Sequence, residues 1–124
     1  MVGSPLQVGD KVVLERQHLQ QLLSVLTKRG YRVVGPTVRD RAIILDELSS
    51  VADLPAGWTD EQDGGTYRLR KRADEALFGY AVGQHSWKKF LLQPQLRLWK
   101  AKRVGRTFEV LAGSEETPRF AFIG

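Results

Sequence analysis

Three arginines, Arg68, Arg70 and Arg72, alternate with Tyr67 and Leu69 in the stretch TYRLRKR. That period of two places guanidinium groups on one face of a strand and apolar side chains on the other. The planar fork of arginine binds carboxylate or phosphate in bidentate fashion, so this face suits an anion or an acidic partner surface. Asp74 and Glu75 follow directly and can instead satisfy the cations locally. A second group lies at His85-Ser86-Trp87-Lys88. A His-Ser pair invites a hydrolytic reading, but sequence neighbours seldom present both side chains to one substrate, and no G-x-S-x-G elbow surrounds Ser86. No catalytic residue is assigned. The candidate residues for partner or anion docking are Arg68, Arg70, Arg72, His85, Ser86, Trp87 and Lys88.

Composition narrows the chemistry further. The 124 residues contain no cysteine, which excludes disulfides, thiolate nucleophiles, zinc ribbons and cysteine-ligated iron–sulfur clusters within this chain. His18 and His85 alone do not make a multi-histidine metal site. The acidic cluster Asp60, Glu61 and Asp63 lacks the ligand spacing of a calcium loop. The net charge of +5 is unevenly spread: residues 66 to 106 hold eleven Lys and Arg against Asp74 and Glu75, whereas residues 1 to 65 hold seven against nine acids. Such asymmetry suits an acidic partner or a polyanion, although a solvated basic face explains it without one. No apolar run approaches the length of a membrane span and no secretory leader is evident, so the expected location is cytoplasmic, away from membranes.

The elements that must position these residues read as a single domain over residues 1–124, of α+β class. The expectation is a mixed or antiparallel sheet of about five to seven strands with one main amphipathic helix packed on it. Leu19, Leu22, Leu23 and Leu26 form the helical stripe, and Gly30 suits the left-handed residue that ends it. His18, just outside that stripe, suits a surface or capping role. Lys11 to Glu15 is a candidate entering strand. Tyr31 to Val34 is a strand that Gly35-Pro36 interrupts and Thr37-Val38 resumes, with a turn at Arg39-Asp40-Arg41 and a return over Ala42 to Leu45. Ser50 and Asp53 have capping-box spacing before Leu54-Pro55. Ala56 to Gly65 reads as an exposed acidic loop pinned by Trp58, and Phe78 to Gly83 as strand or turn. His85 to Phe90 opens a helix with Ser86 as N-cap. Gln93 to Arg106 interleaves Leu96, Leu98 and Trp99 with cations, as nucleic-acid-binding surfaces do, without a recognised motif. Thr107 to Leu111 and Arg119 to Ile123 are the last strands, around a turn at Ala112 to Pro118, the final one apolar enough to be buried. An apolar strand ending at the last residues fits an N-terminal module excised from a longer protein.

Seven segments in order, YRVVGP (31–36), VRDRAIILDEL (38–48), LPAGWT (54–59), YRLRKR (67–72), Asp74-Glu75, FGYAVG (78–83) and HSWKKF (85–90), resemble the N-terminal region of one family. It is the beta subunit of cytoplasmic, sulfhydrogenase-type nickel–iron hydrogenases, which includes the A subunit of anaerobic sulfite reductase. The resemblance spans residues 15 to 124, with Gln84 where proline is expected and Arg41 where glycine often follows the aspartate. It implies an iron–sulfur electron carrier of the 4Fe-4S dicluster ferredoxin type. Two 4Fe-4S clusters would hang from cysteines downstream of Gly124, and this segment would carry no cofactor. It further implies a flavin-containing gamma subunit with FAD and NAD(P), and catalytic hydrogenase or reductase subunits as partners. The residues would then serve as a cluster-free scaffold and docking module; the alternative is a basic module binding nucleic acid or another polyanion, which the missing motif disfavours.

Overall fold

The computed structural model describes residues 3–81, 85–92, 94–111 and 117–124. Its elements are α1 (Leu19–Lys28), β1 (Tyr31–Arg39), β2 (Ala42–Glu47), β3 (Trp58–Asp63), β4 (Thr66–Lys71), α2 (Lys88–Leu91), β5 (Lys100–Val104), β6 (Thr107–Leu111) and β7 (Arg119–Phe122). The chain is α+β; its described residues form one main helix and seven strands divided among three small sheets. The order is β2-β1-β7 in the largest, while β3-β4 and β5-β6 are two-stranded. All pairs are antiparallel except β1 with β7, which run parallel.

The leucine period builds α1, and Gly30, at φ 84°, ends it. Leu23 is fully inside, against Val33, Leu48 and Leu54, with Leu19 and Leu26 packed beside them. Leu22 turns outward at the stripe's margin. Below this face, a short helical turn at Val51–Asp53 carries the capping box expected of Ser50 and Asp53. The opposite face of the sheet carries Val34, Pro36, Ile43 and Leu45, all buried, together with Phe120 and Phe122, which register with Arg32 and Val34.

Four local expectations change. Lys11 to Glu15 forms no strand: Val12 and Val13 are exposed and among the described residues the segment finds no ladder, without which an extended run gains nothing. β1 runs unbroken through Gly35-Pro36. The Val33 carbonyl accepts from Leu48 on the β2 side and the Val34 carbonyl from Ile123 on the β7 side, so Pro36 turns its nitrogen toward β7, whose ladder has ended at Val34–Phe122. The missing N–H therefore falls past the last rung, where a strand tolerates proline. The acidic stretch expected as a loop is mostly strand, with Trp58–Asp63 laid along β4. β7 is an edge strand, half-buried rather than enclosed, and pairs with β1 rather than with β6. Phe78 to Ala81 is irregular. Val82, Gly83 and Gln84, and residues 112 to 116 of the expected turn, lie outside the described residues.

Candidate docking surface

The arginine strand forms as its alternation requires, with Tyr67 and Leu69 turned inward and Arg68 and Arg70 outward. The Tyr67 hydroxyl accepts the Ile43 N–H at 2.9 Å, tying this hairpin to β2. Register decides what becomes of the cations. Glu61 stands directly across from Arg68 and accepts from Arg70 Nε at 2.7 Å. Arg72 grips Asp74 with both prongs, Nε to Oδ1 at 2.6 Å and a terminal nitrogen to Oδ2 at 2.8 Å, and reaches the Gly79 carbonyl at 3.4 Å. Its own backbone N–H donates to the Gly57 carbonyl at 2.8 Å, while the Gly57 N–H donates to Ala76. A Cβ on Gly79 would lie 2.8 Å from the Arg72 side chain, so only glycine leaves room for this clamp. The Arg72 guanidinium, with help from the Ala76 N–H, holds the Asp74 carboxyl down to about 2. Arg70 and Arg72 are thus engaged within the fold. Arg68 is exposed and forms no ion pair among the described residues, beside a polar cleft that it shares with Glu61 and Asp63.

The His-Ser-Trp-Lys segment has a different arrangement. Ser86 Oγ accepts the Lys88 N–H at 3.2 Å, but the N-cap of α2 is Trp87 rather than the expected Ser86, and no side chain caps the helix. Trp87 packs on Phe122 at 4.7 Å between ring centres, and Phe90, three residues on, meets Phe120 at 5.7 Å. The spacing i, i+3 puts both rings on one side of α2, which they pin to β7, leaving Lys88 and Lys89 in solvent. His85 is exposed, and among the described residues no hydrogen bond joins it to Ser86 and no carboxylate orients it. The segment is an anchor with a cationic outer side and has no nucleophile–base geometry.

Two features lay outside the candidate residues. Between α2 and β7 lies an apolar groove of about 480 Å³, lined by Phe90, Leu91, Leu92, Leu96, Pro118 and Phe120. Next along the chain, the β5–β6 hairpin aligns Ala101 with Val110 and Arg103 with Phe108, one face that leaves Phe108 and Val110 about 70% exposed. Leu98 and Trp99, on the lead-in, are equally bare. From His85 to Phe108 there are seven Lys and Arg and no acidic residue. The sequence signal was the cation run, but that Leu91-Leu92 would remain uncovered depends on where β7 docks.

The chain has no cysteine, and among the described residues no cluster of His, Asp and Glu could hold a metal ion. No described helix is long and apolar enough to cross a membrane. No family model matches the chain, and neither does any curated protein or solved structure.

Proposed function

We propose that the chain is a non-catalytic docking module, the cluster-free N-terminal part of a cytoplasmic iron–sulfur electron-transfer subunit in a hydrogenase-like or sulfite-reductase-like complex. The observation that carries the docking role is the exposure of Leu91, Leu92 and Leu96 beside Lys88 and Lys89, since exposed apolar side chains gathered at one groove mark an interaction site. The redox assignment rests on the ordered resemblance of the seven segments. Its partners would be a flavin-containing gamma subunit, with FAD and NAD(P), and the catalytic subunits. Lys88 supplies free charge beside the groove, and Arg68, exposed beside Glu61 and Asp63 on the strand that Arg70 and Arg72 set, is a second candidate contact. Iron and labile sulfide on the natural full-length protein, after anaerobic reconstitution, test the redox part: two 4Fe-4S clusters are expected, and a colourless product overturns it.

The exposure of Trp99 and Phe108 among cations also favours a second reading, a stacking platform for single-stranded nucleic acid. It requires binding whose logarithm falls linearly with the logarithm of salt concentration. Absence of binding at physiological salt removes it.

A further inference from the structure

We propose that the groove between α2 and β7 seats an acidic, amphipathic segment of a partner protein, whose large apolar side chains enter the groove while its carboxylates meet Lys88, Lys89 and the cations beyond. This deepens the docking reading and does not depend on the redox one.

The floor of the groove is already built. Phe90 and Phe120 belong to the aromatic cluster with Phe122 and Trp87, and Pro118 stiffens the approach to β7. A preformed apolar floor binds without the ordering that a flexible surface would require. The walls remain unsatisfied: Leu91, Leu92 and Leu96 are 61–69% exposed, three large aliphatic side chains facing one space. The rim selects the occupant. Lys88 and Lys89 sit on α2 itself, exposed and in no ion pair among the described residues, so a partner with carboxylates gains where a neutral one does not. A second copy meeting through the same patch would set these cations against their equivalents, as a two-fold contact demands. Nucleic acid gains from aromatic faces and phosphate contacts, whereas this lining is mainly aliphatic.

The test uses the 124-residue chain and two synthetic peptides rich in glutamate, one with leucines at i, i+3, i+4 and i+7 and one with leucines alternating. Lysine-for-glutamate versions of both serve as controls. Saturable shifts of the Leu91, Leu92 and Leu96 methyl resonances with either acidic peptide are expected, weakened about tenfold or more by Leu92→Asp and by added salt. Lys88→Glu provides an independent variant, and both positions are exposed, so neither change touches the core. The proposal is overturned by no groove shifts with either acidic peptide, by equal binding of the lysine controls, by displacement of the peptide from the groove by an RNA oligomer, or by a concentration-dependent dimer that closes the groove. Peptide binding with an iron-free full-length protein removes the redox reading alone. Clusters without peptide binding remove the groove alone.

Discussion

Arginine is used in two ways in this chain, and the contrast divides it. Between residues 31 and 81 four of the six arginines have a carboxylate: Arg32 with Glu47, Arg39 with Asp46, Arg70 with Glu61 and Arg72 with Asp74. All four pairs join residues that the hairpins or a tight turn already hold close, so they fix register and turn geometry beside a buried core. On α2, Lys88 and Lys89 form no ion pair among the described residues, and the β5–β6 hairpin, where Glu109 lies across from Lys102, has only one residue, Leu111, that is even partly buried. Two-stranded ribbons without a packed face are marginal in water. The first half spends most of its arginines on its own fold; the second leaves Lys88, Lys89 and apolar surface available together.

If that division is right, truncation must hurt the two halves very differently. Leu23→Ala, which opens space at the centre of the helix–sheet contact, should destabilise by about 2–4 kcal/mol. Val110→Ala, on the bare face of β6, should stay within about 0.5 kcal/mol. Urea denaturation of both variants measures this, and comparable losses would erase the division. Native-state hydrogen exchange sharpens the same contrast, with β1 amides protected to near the global stability and β5–β6 amides exchanging through local opening.

A smaller effect probes the close approach of β1 to its neighbours. A Cβ on Gly35 would fall 2.7 Å from Leu48 Cδ1 and 2.9 Å from Ile123 Cγ1. Overpacking there should cost about 1–3 kcal/mol for Gly35→Ala. The equivalent change at Gly64, with nothing within 4 Å, should cost far less in the same denaturation series.

What the sequence discloses follows from how far each signal reaches. α1, the β1–β2 hairpin, the Arg68–Arg72 alternation and the Ser50–Asp53 box are written in residues a few positions apart, and all form. β3 is not legible this way. Asp60, Glu61 and Asp63 score as loop by composition and become strand because β4 lies alongside, with Arg68 across from Glu61 and Leu69 across from Asp60. Pro36 reads as a break because its effect depends on where β7 stops, more than eighty residues later. The Lys11–Glu15 run has strand composition but no edge to join. Of the docking candidates, the cation run was visible, yet the groove was not, because Phe90 meets Phe120 only through the parallel β1–β7 pairing.

The hairpin turn between β1 and β2 offers a gain rather than a loss. Asp40 and Arg41 both hold positive φ, 50° and 61°, as a two-residue turn of this hand requires. Asp tolerates that region and arginine does not, so Arg41→Gly should stabilise by about 0.5–1 kcal/mol. A rise in the thermal midpoint checks it; a fall would mean that the Arg41 side chain contributes more than its backbone costs.

The smallest expected effect is electrostatic, and it again separates the halves. Asp74 titrates near 2 in the fold against an ordinary value of 3.8, because the Arg72 guanidinium and the Ala76 N–H favour its charged form. A depressed carboxyl contributes stability that is fully present above its unfolded value and is lost as pH falls through the folded one. Acid should therefore weaken the clamp between about pH 4 and pH 2. Because the pair is solvent-exposed, the loss is modest and shrinks in high salt. Glu47, lowered by its bond from Arg32, adds to the same acid limb. Asp74→Asn should flatten that limb while leaving the chemical shifts of β5 and β6 at neutral pH unmoved, since the bonds of Asp74 run to Arg72 and Ala76. An acid limb unchanged by Asp74→Asn would show that Arg72 is held by its contacts to Gly79 and Gly57, with its charge incidental to the fold.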